Sequence, residues 1–60
     1  MLTRLKMHRF MSEKSQYQLA RETNIPQSRI SLLENQLADP KPEEKIILSK
    51  VLNTSPEELF

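Results

Sequence analysis

The stretch "SQYQLARETNIPQSRISLLEN", residues 15–35, holds two short helical patterns separated by a break near 24–26. Ser15 is a good N-cap, and Gln18 follows three residues later. In that spacing the cap oxygen and the N3 side chain satisfy backbone N–H groups that the first turn leaves free. The helix it opens covers roughly Gln16 to Thr23 and turns Leu19 and Ala20 inward. Asn24 predicts its end, because Asn is the non-glycine residue that best tolerates the left-handed backbone of a C-terminal cap. Pro26 suits the first turn of a next helix, where its missing N–H costs nothing. Ile30 and Leu33 mark the inner face of that helix, about Pro26–Asn35. Leu37 is placed either to extend that face or to meet a partner. Between Pro26 and Ile30 stand three polar side chains, Gln27, Ser28 and Arg29. They raise the question of what such a run faces.

Every other signal along the chain is helical. Leu2 and Leu5, spaced i, i+3, begin a first helix that runs to Phe10 or Met11. "ADPKP", residues 38–42, reads as a linker, and Pro42 opens a fourth helix through about Leu52 with Leu48, Val51 and Leu52 inward. Asn53 repeats the role of Asn24. Ser55, with Pro56 at N1 and Glu58 at N3, starts a last short helix, "PEELF". No stretch alternates convincingly as a strand, no segment repeats, and glycine is absent. The fold class is therefore all-α: five short helices in one compact domain, 1–60. Two helices joined by about three residues form a helix-turn-helix pattern. Ala20 is small where the next helix crosses, Asn24 supplies positive φ, and Ile25, Ile30 and Leu33 point into a shared core.

Composition bounds the function. A chain of sixty residues buries only about 60% of its unfolded surface, so its core is thin. There is no Cys and one His, His8, which excludes a disulfide staple and predicts no metal site and no cofactor. His8 reads as a partly buried packing residue. No run approaches the roughly 20 apolar residues of a membrane span. The opening "MLTRLKMHRF" lacks the uninterrupted apolar run of a secretory signal. A small soluble cytoplasmic domain is expected. Nothing assembles a catalytic site: there is no Gly-rich phosphate loop, no second His and no convincing acid–base pair, so the chain reads as no enzyme. Charge is uneven. Residues 1–35 carry Arg4, Lys6, Arg9, Lys14, Arg21 and Arg29 against three glutamates, whereas residues 36–60 carry three lysines against five acids. A basic half invites a polyanion, although a solvated helical surface explains so mild an imbalance equally well.

The central stretch resembles the helix-turn-helix of the Cro and phage-repressor (Xre-like) family, whose fold is lambda-repressor-like. That family's pattern runs Ser-Gln-x-x-Leu-Ala, a turn Gly, an apolar residue, then Ile-Ser-x-x-Glu. The resemblance covers essentially the whole chain: "RLKMHR" is similar to the family's first helix, "LENQLADP" to its helix 3–4 loop and "VLNTSPEELF" to its ending. Asn24, Gln36 and Asn53 stand where the family commonly has Gly, and Gln36 is the least suited of the three. Lys14 and Thr23 occupy positions that are usually apolar, and "QLADP" lacks the basic residues that help such loops hold phosphate.

The resemblance implies sequence-specific binding of double-stranded DNA by a transcriptional regulator, a repressor by family habit, with helix 3 in the major groove. With Ile30 and Leu33 inward, the 100° step per residue turns Gln27, Ser28, Ser31 and Leu32 outward. Gln bonds adenine in a bidentate way, Ser suits either base type and an apolar tip meets a thymine methyl. Those four are the candidate base readers, and facing base edges is the use this reading gives the polar run. The bland reading is that they are ordinary solvated residues of a capped helix. Gln16, Arg29, Asn35 and Lys41 are candidates for phosphate contact, which fixes register without reading sequence. Family resemblance also implies that Gln16 braces Gln27 and that Arg9 and Glu34 form a structural ion pair. Tyr17 packs at the surface of its helix with a hydroxyl that could reach phosphate. Two copies are expected on a pseudo-palindromic site with half-sites about 34 Å apart, meeting through Leu59 and Phe60, in the cytoplasm at the nucleoid. The alternative is a protein-interaction module, such as an antitoxin or adaptor, in which the helix-turn-helix is scaffold. The weakly basic loop and the Ile46–Ile47 pair motivate it.

Overall fold

Each helix of the computed structural model, which describes residues 3–60, starts and stops where local chemistry directs. Thr3 caps α1 (Arg4–Met11) by accepting the Lys6 N–H at 3.3 Å. The Leu2 start falls outside the described residues. Ser15 caps α2 (Gln16–Thr23) through the Gln18 N–H at 3.0 Å. Pro26 is the N-cap of α3 (Gln27–Glu34) rather than its first helical residue. Its φ of −56° is helical but its ψ of 143° is extended, so the helix proper begins at Gln27. Glu44, at N3 of α4 (Pro42–Val51), accepts the Lys41 N–H at 2.8 Å. Leu52 is the C-cap of that helix, and a single turn, α5 (Pro56–Leu59), follows. Ser55 sits at the N-cap of α5, but its hydroxyl makes no capping bond. Helix is the only regular secondary structure among the described residues.

Left-handed residues stop the helices, and none is glycine. Asn24 lies at φ 60° after α2, and Glu13, Gln36 and Asn53 lie at φ 56–58° after α1, α3 and α4. The last three sit in the same device. The N–H of the residue after the left-handed one reaches back to a carbonyl five residues earlier: Lys14 to Arg9 at 3.2 Å, Leu37 to Leu32 at 2.8 Å, Thr54 to Ser49 at 2.9 Å. The left-handed residue itself bonds three back, to Phe10, Leu33 and Lys50 respectively. These paired bonds satisfy carbonyls that a helix end leaves orphaned. Glu13 and Gln36 accept a backbone cost of about 1–2 kcal/mol each to complete them.

The helices close around Leu5, Leu19, Ile25, Ile30, Leu33, Leu48, Leu52 and Leu59, with Ala20, Ala38, Ile47 and Val51 packed against them. α2 packs on α3 and α4, α1 on α3 and α5, and α4 on α5. Burying each large aliphatic side chain stabilises the fold by about 1.5–3 kcal/mol. One placement corrects the sequence reading, and a second decides between two alternatives it left open. Leu59 is a core residue, only 3% exposed, so it offers nothing to a second copy; only Phe60 remains of that pair. Leu37 does not seal the core. It follows the left-handed Gln36, which turns it away from the Ile30–Leu33 face, and it is 73% exposed. Thr23, at a position that resembled an apolar one, is buried without penalty. Its Oγ1 donates to the Leu19 carbonyl at 2.7 Å and accepts the Ile25 N–H at 3.3 Å.

Candidate nucleic-acid interface

The inner side of α3 fixes how the outer side is presented. Ile30 and Leu33 are in the core, and Glu34, the last residue of the helix, is buried beside them. A buried carboxylate needs donors, and two neighbouring helices supply them. Arg9 of α1 donates from Nε to Glu34 Oε2 at 2.6 Å and from Nη2 to Oε1 at 3.3 Å. Gln16, the first residue of α2, donates from Nε2 to Oε1 at 2.8 Å. A third Arg9 donor, Nη1, reaches the Lys14 carbonyl at 2.9 Å in the turn between α1 and α2. One carboxylate thus ties α1, α2 and α3 together. Gln16 braces Glu34, not Gln27, and keeps one Nε2 hydrogen for an external acceptor.

With that face anchored, Gln27, Ser28 and Leu32 are exposed and Ser31 is half-buried. Among the described residues the side chains of Gln27 and Ser28 make no hydrogen bond to protein, so their donors and acceptors are open to a ligand. Asn35 caps the end of α3 instead of standing free. Its Nδ2 donates to the Ser31 carbonyl at 2.9 Å, with the Ser31 hydroxyl at 3.5 Å. Lys41 is exposed at the N-cap of α4, and its ammonium has no ion-pair partner among the described residues.

Arg29 is placed differently from the sequence reading. It does not project from α3 as a free phosphate ligand. Nε and Nη2 close a fork on Glu44 at 2.9 and 3.0 Å, and Nη2 also reaches the Asp39 carbonyl at 2.8 Å. Three of the five guanidinium donors are therefore spent inside the chain. The hydrogen bonds from Arg29 lower the Glu44 carboxyl below its usual range; burial opposes them, and the Lys41 N–H helps them. Glu44 in turn raises Arg29 above its ordinary value. Sequence reasoning missed this pair. The usable signal was Glu44 at the N3 position behind Pro42, which keeps a carboxylate near the start of α4.

The apolar pair proposed as a partner surface is divided. Ile46 is 52% exposed, whereas Ile47 packs against the core. No helix among the described residues is long and apolar enough to cross a membrane.

A short α2, a left-handed Asn24 and an α3 with one buried and one open polar face define a helix-turn-helix domain. A family model described as helix-turn-helix matches residues 11–59, and the chain belongs to this Cro/C1-type family of DNA-binding transcription regulators. No curated protein and no solved structure matches it.

Proposed function

We propose that the protein binds double-stranded DNA sequence-specifically and acts as a transcriptional repressor, with α3 in the major groove. Gln27, Ser28, Ser31 and Leu32 read base edges. Gln16, through its spare Nε2 hydrogen, and Lys41 hold phosphates on either side. Two copies occupy a pseudo-palindromic site. The observation that carries this reading is the split of α3: Ile30, Leu33 and Glu34 are buried, while Gln27 and Ser28 stand exposed and unbonded at its N-terminal end. In helix-turn-helix proteins that end of the second helix meets the bases. Selection of bound duplexes from a random pool tests it directly. Recovery of a motif with two inverted half-sites about 10 base pairs apart supports it. Recovery of no motif, with equal binding of every duplex, overturns it.

A further inference from the structure

On the outer side of α2, next to the N-terminal end of α3, a shallow hollow opens between the two helices of the motif. It is lined by Tyr17, Ala20, Arg21, Ile25, Pro26 and Gln27. Ala20, Ile25 and Pro26 contribute apolar atoms to it. Gln27 stands on its α3 side, and Tyr17 and Arg21 stand on its α2 side, one helical turn apart. Neither of the last two is explained by the fold. Tyr17 is 64% exposed, a large aromatic left outside the core. Arg21 is exposed and has no ion-pair or hydrogen-bond partner among the described residues. Its sequence neighbour Glu22 is committed elsewhere, to Lys14 Nζ at 2.7 Å and Gln18 Nε2 at 3.2 Å. The charge of Arg21 is thus directed at solvent, beside the residue assigned to base reading.

We propose that Tyr17 and Arg21 form a second backbone clamp, holding the sugar–phosphate strand that borders the groove on the α2 side of Gln27. The inference rests on the assignment of α3 to the major groove. When Gln27 meets a base edge, the first helix of the motif crosses the backbone, which puts a strand over this hollow. The arginine fork grips two phosphate oxygens at once. The tyrosine hydroxyl donates to a neighbouring oxygen, and the apolar floor accepts the carbon edge of the deoxyribose. Because the clamp touches no base edge, it sets the depth and register at which Gln27 engages and carries no sequence preference of its own. It also supplies positive charge, which the "QLADP" loop lacks.

The test measures affinity for a selected duplex and for a scrambled duplex across a salt series, using the full chain and Arg21→Gln, Tyr17→Phe and Gln27→Ala. Both clamp residues are exposed, so their variants should keep the wild-type melting curve. Arg21→Gln is expected to weaken both duplexes by the same factor and to reduce the salt slope by about 0.9. Its deficit therefore narrows roughly threefold between about 50 and about 200 mM salt. Tyr17→Phe is expected to weaken both duplexes equally with the slope unchanged, since a neutral donor releases no counterion. An unchanged slope and affinity for Arg21→Gln, in a protein that still prefers the selected duplex, overturns the clamp and leaves the α3 assignment standing. A change in which base is preferred also overturns it, because the residue would then be a reader. Failure of the wild type to bind any duplex at low salt overturns both.

Discussion

Gln16 and Glu34, the first residue of α2 and the last of α3, are joined by a 2.8 Å hydrogen bond between amide and carboxylate. The bond spans the two helices of the motif at the end away from the turn. Asn24 fixes the near end by its backbone, and this pair fixes the far end by side chains. The angle between α2 and α3 is therefore set at both ends, and with it the attitude of Gln27 and Ser28.

The Glu34 cluster predicts a large and asymmetric stability effect. Glu34→Gln leaves the Arg9 guanidinium buried without its anion and should cost about 3–5 kcal/mol, enough to unfold much of so small a domain. Arg9→Met combined with Glu34→Leu removes both charges and should recover most of that loss. Gln16→Ala deletes one bond to a charged group and should cost only about 1.5–3 kcal/mol. Urea denaturation of the four proteins checks the order.

Gln36 and Glu13 predict gains. Each holds a left-handed backbone that glycine adopts freely. Gln36→Gly should stabilise by about 0.5–1 kcal/mol after the entropy glycine adds to the unfolded chain. In a domain of this size that raises Tm by about 4–8 °C per kcal/mol. Asn24→Gly should gain less, because Asn already tolerates the conformation. Thermal melts that rank Gln36→Gly at or below wild type would contradict this account of the helix ends.

The Arg29–Glu44 fork predicts a pH dependence. The Glu44 carboxyl is lowered in the folded state. Its contribution is therefore complete above the unfolded value, near 4.5, and is lost as pH falls through the lower folded value. Glu44→Gln should be less stable than wild type at neutral pH. The gap should close as pH falls below about 4.5, which parallel denaturation curves at several pH values measure.

Reading and gripping should separate in variants. Gln27→Ala is expected to relax preference at one base pair by about 1–3 kcal/mol, roughly 5- to 150-fold, with little effect on other positions. Lys41→Ala should weaken every duplex alike and reduce the salt slope by about one. Competition against single-base variants of the selected site distinguishes the two.

The fold was legible because its signals are local. Ser15 with Gln18, Asn24, Asn53 and the i, i+3 aliphatic pairs each announce a boundary or a face without knowledge of the rest of the chain. Glu13 gave no such signal and Gln36 little, since their left-handed backbones follow from the bonding of whole helix ends and from no preference of their side chains. Leu59 and Leu37 show the same limit. A single turn such as α5 has too little periodicity to reveal which of its apolar residues is buried, and spacing alone left Leu37 between the core face and solvent, a choice that one left-handed residue makes. At the site, the outward set Gln27, Ser28 and Leu32 follows from one helical angle. The partners of Arg29 and Gln16 do not, because whether a polar side chain bonds inward depends on residues 15 to 18 positions away that only the folded chain brings near.

The most direct measurement is a titration of the isotopically labelled protein with the selected duplex, followed by amide and side-chain NMR signals residue by residue. The backbone signals of 27, 28, 31 and 32 and the Gln27 side-chain amide are expected to move first and furthest, with Gln16 and Lys41 at the margin. If those signals stay in place while the exposed faces of α1 or α4 respond, α3 is not the reading helix and the account fails.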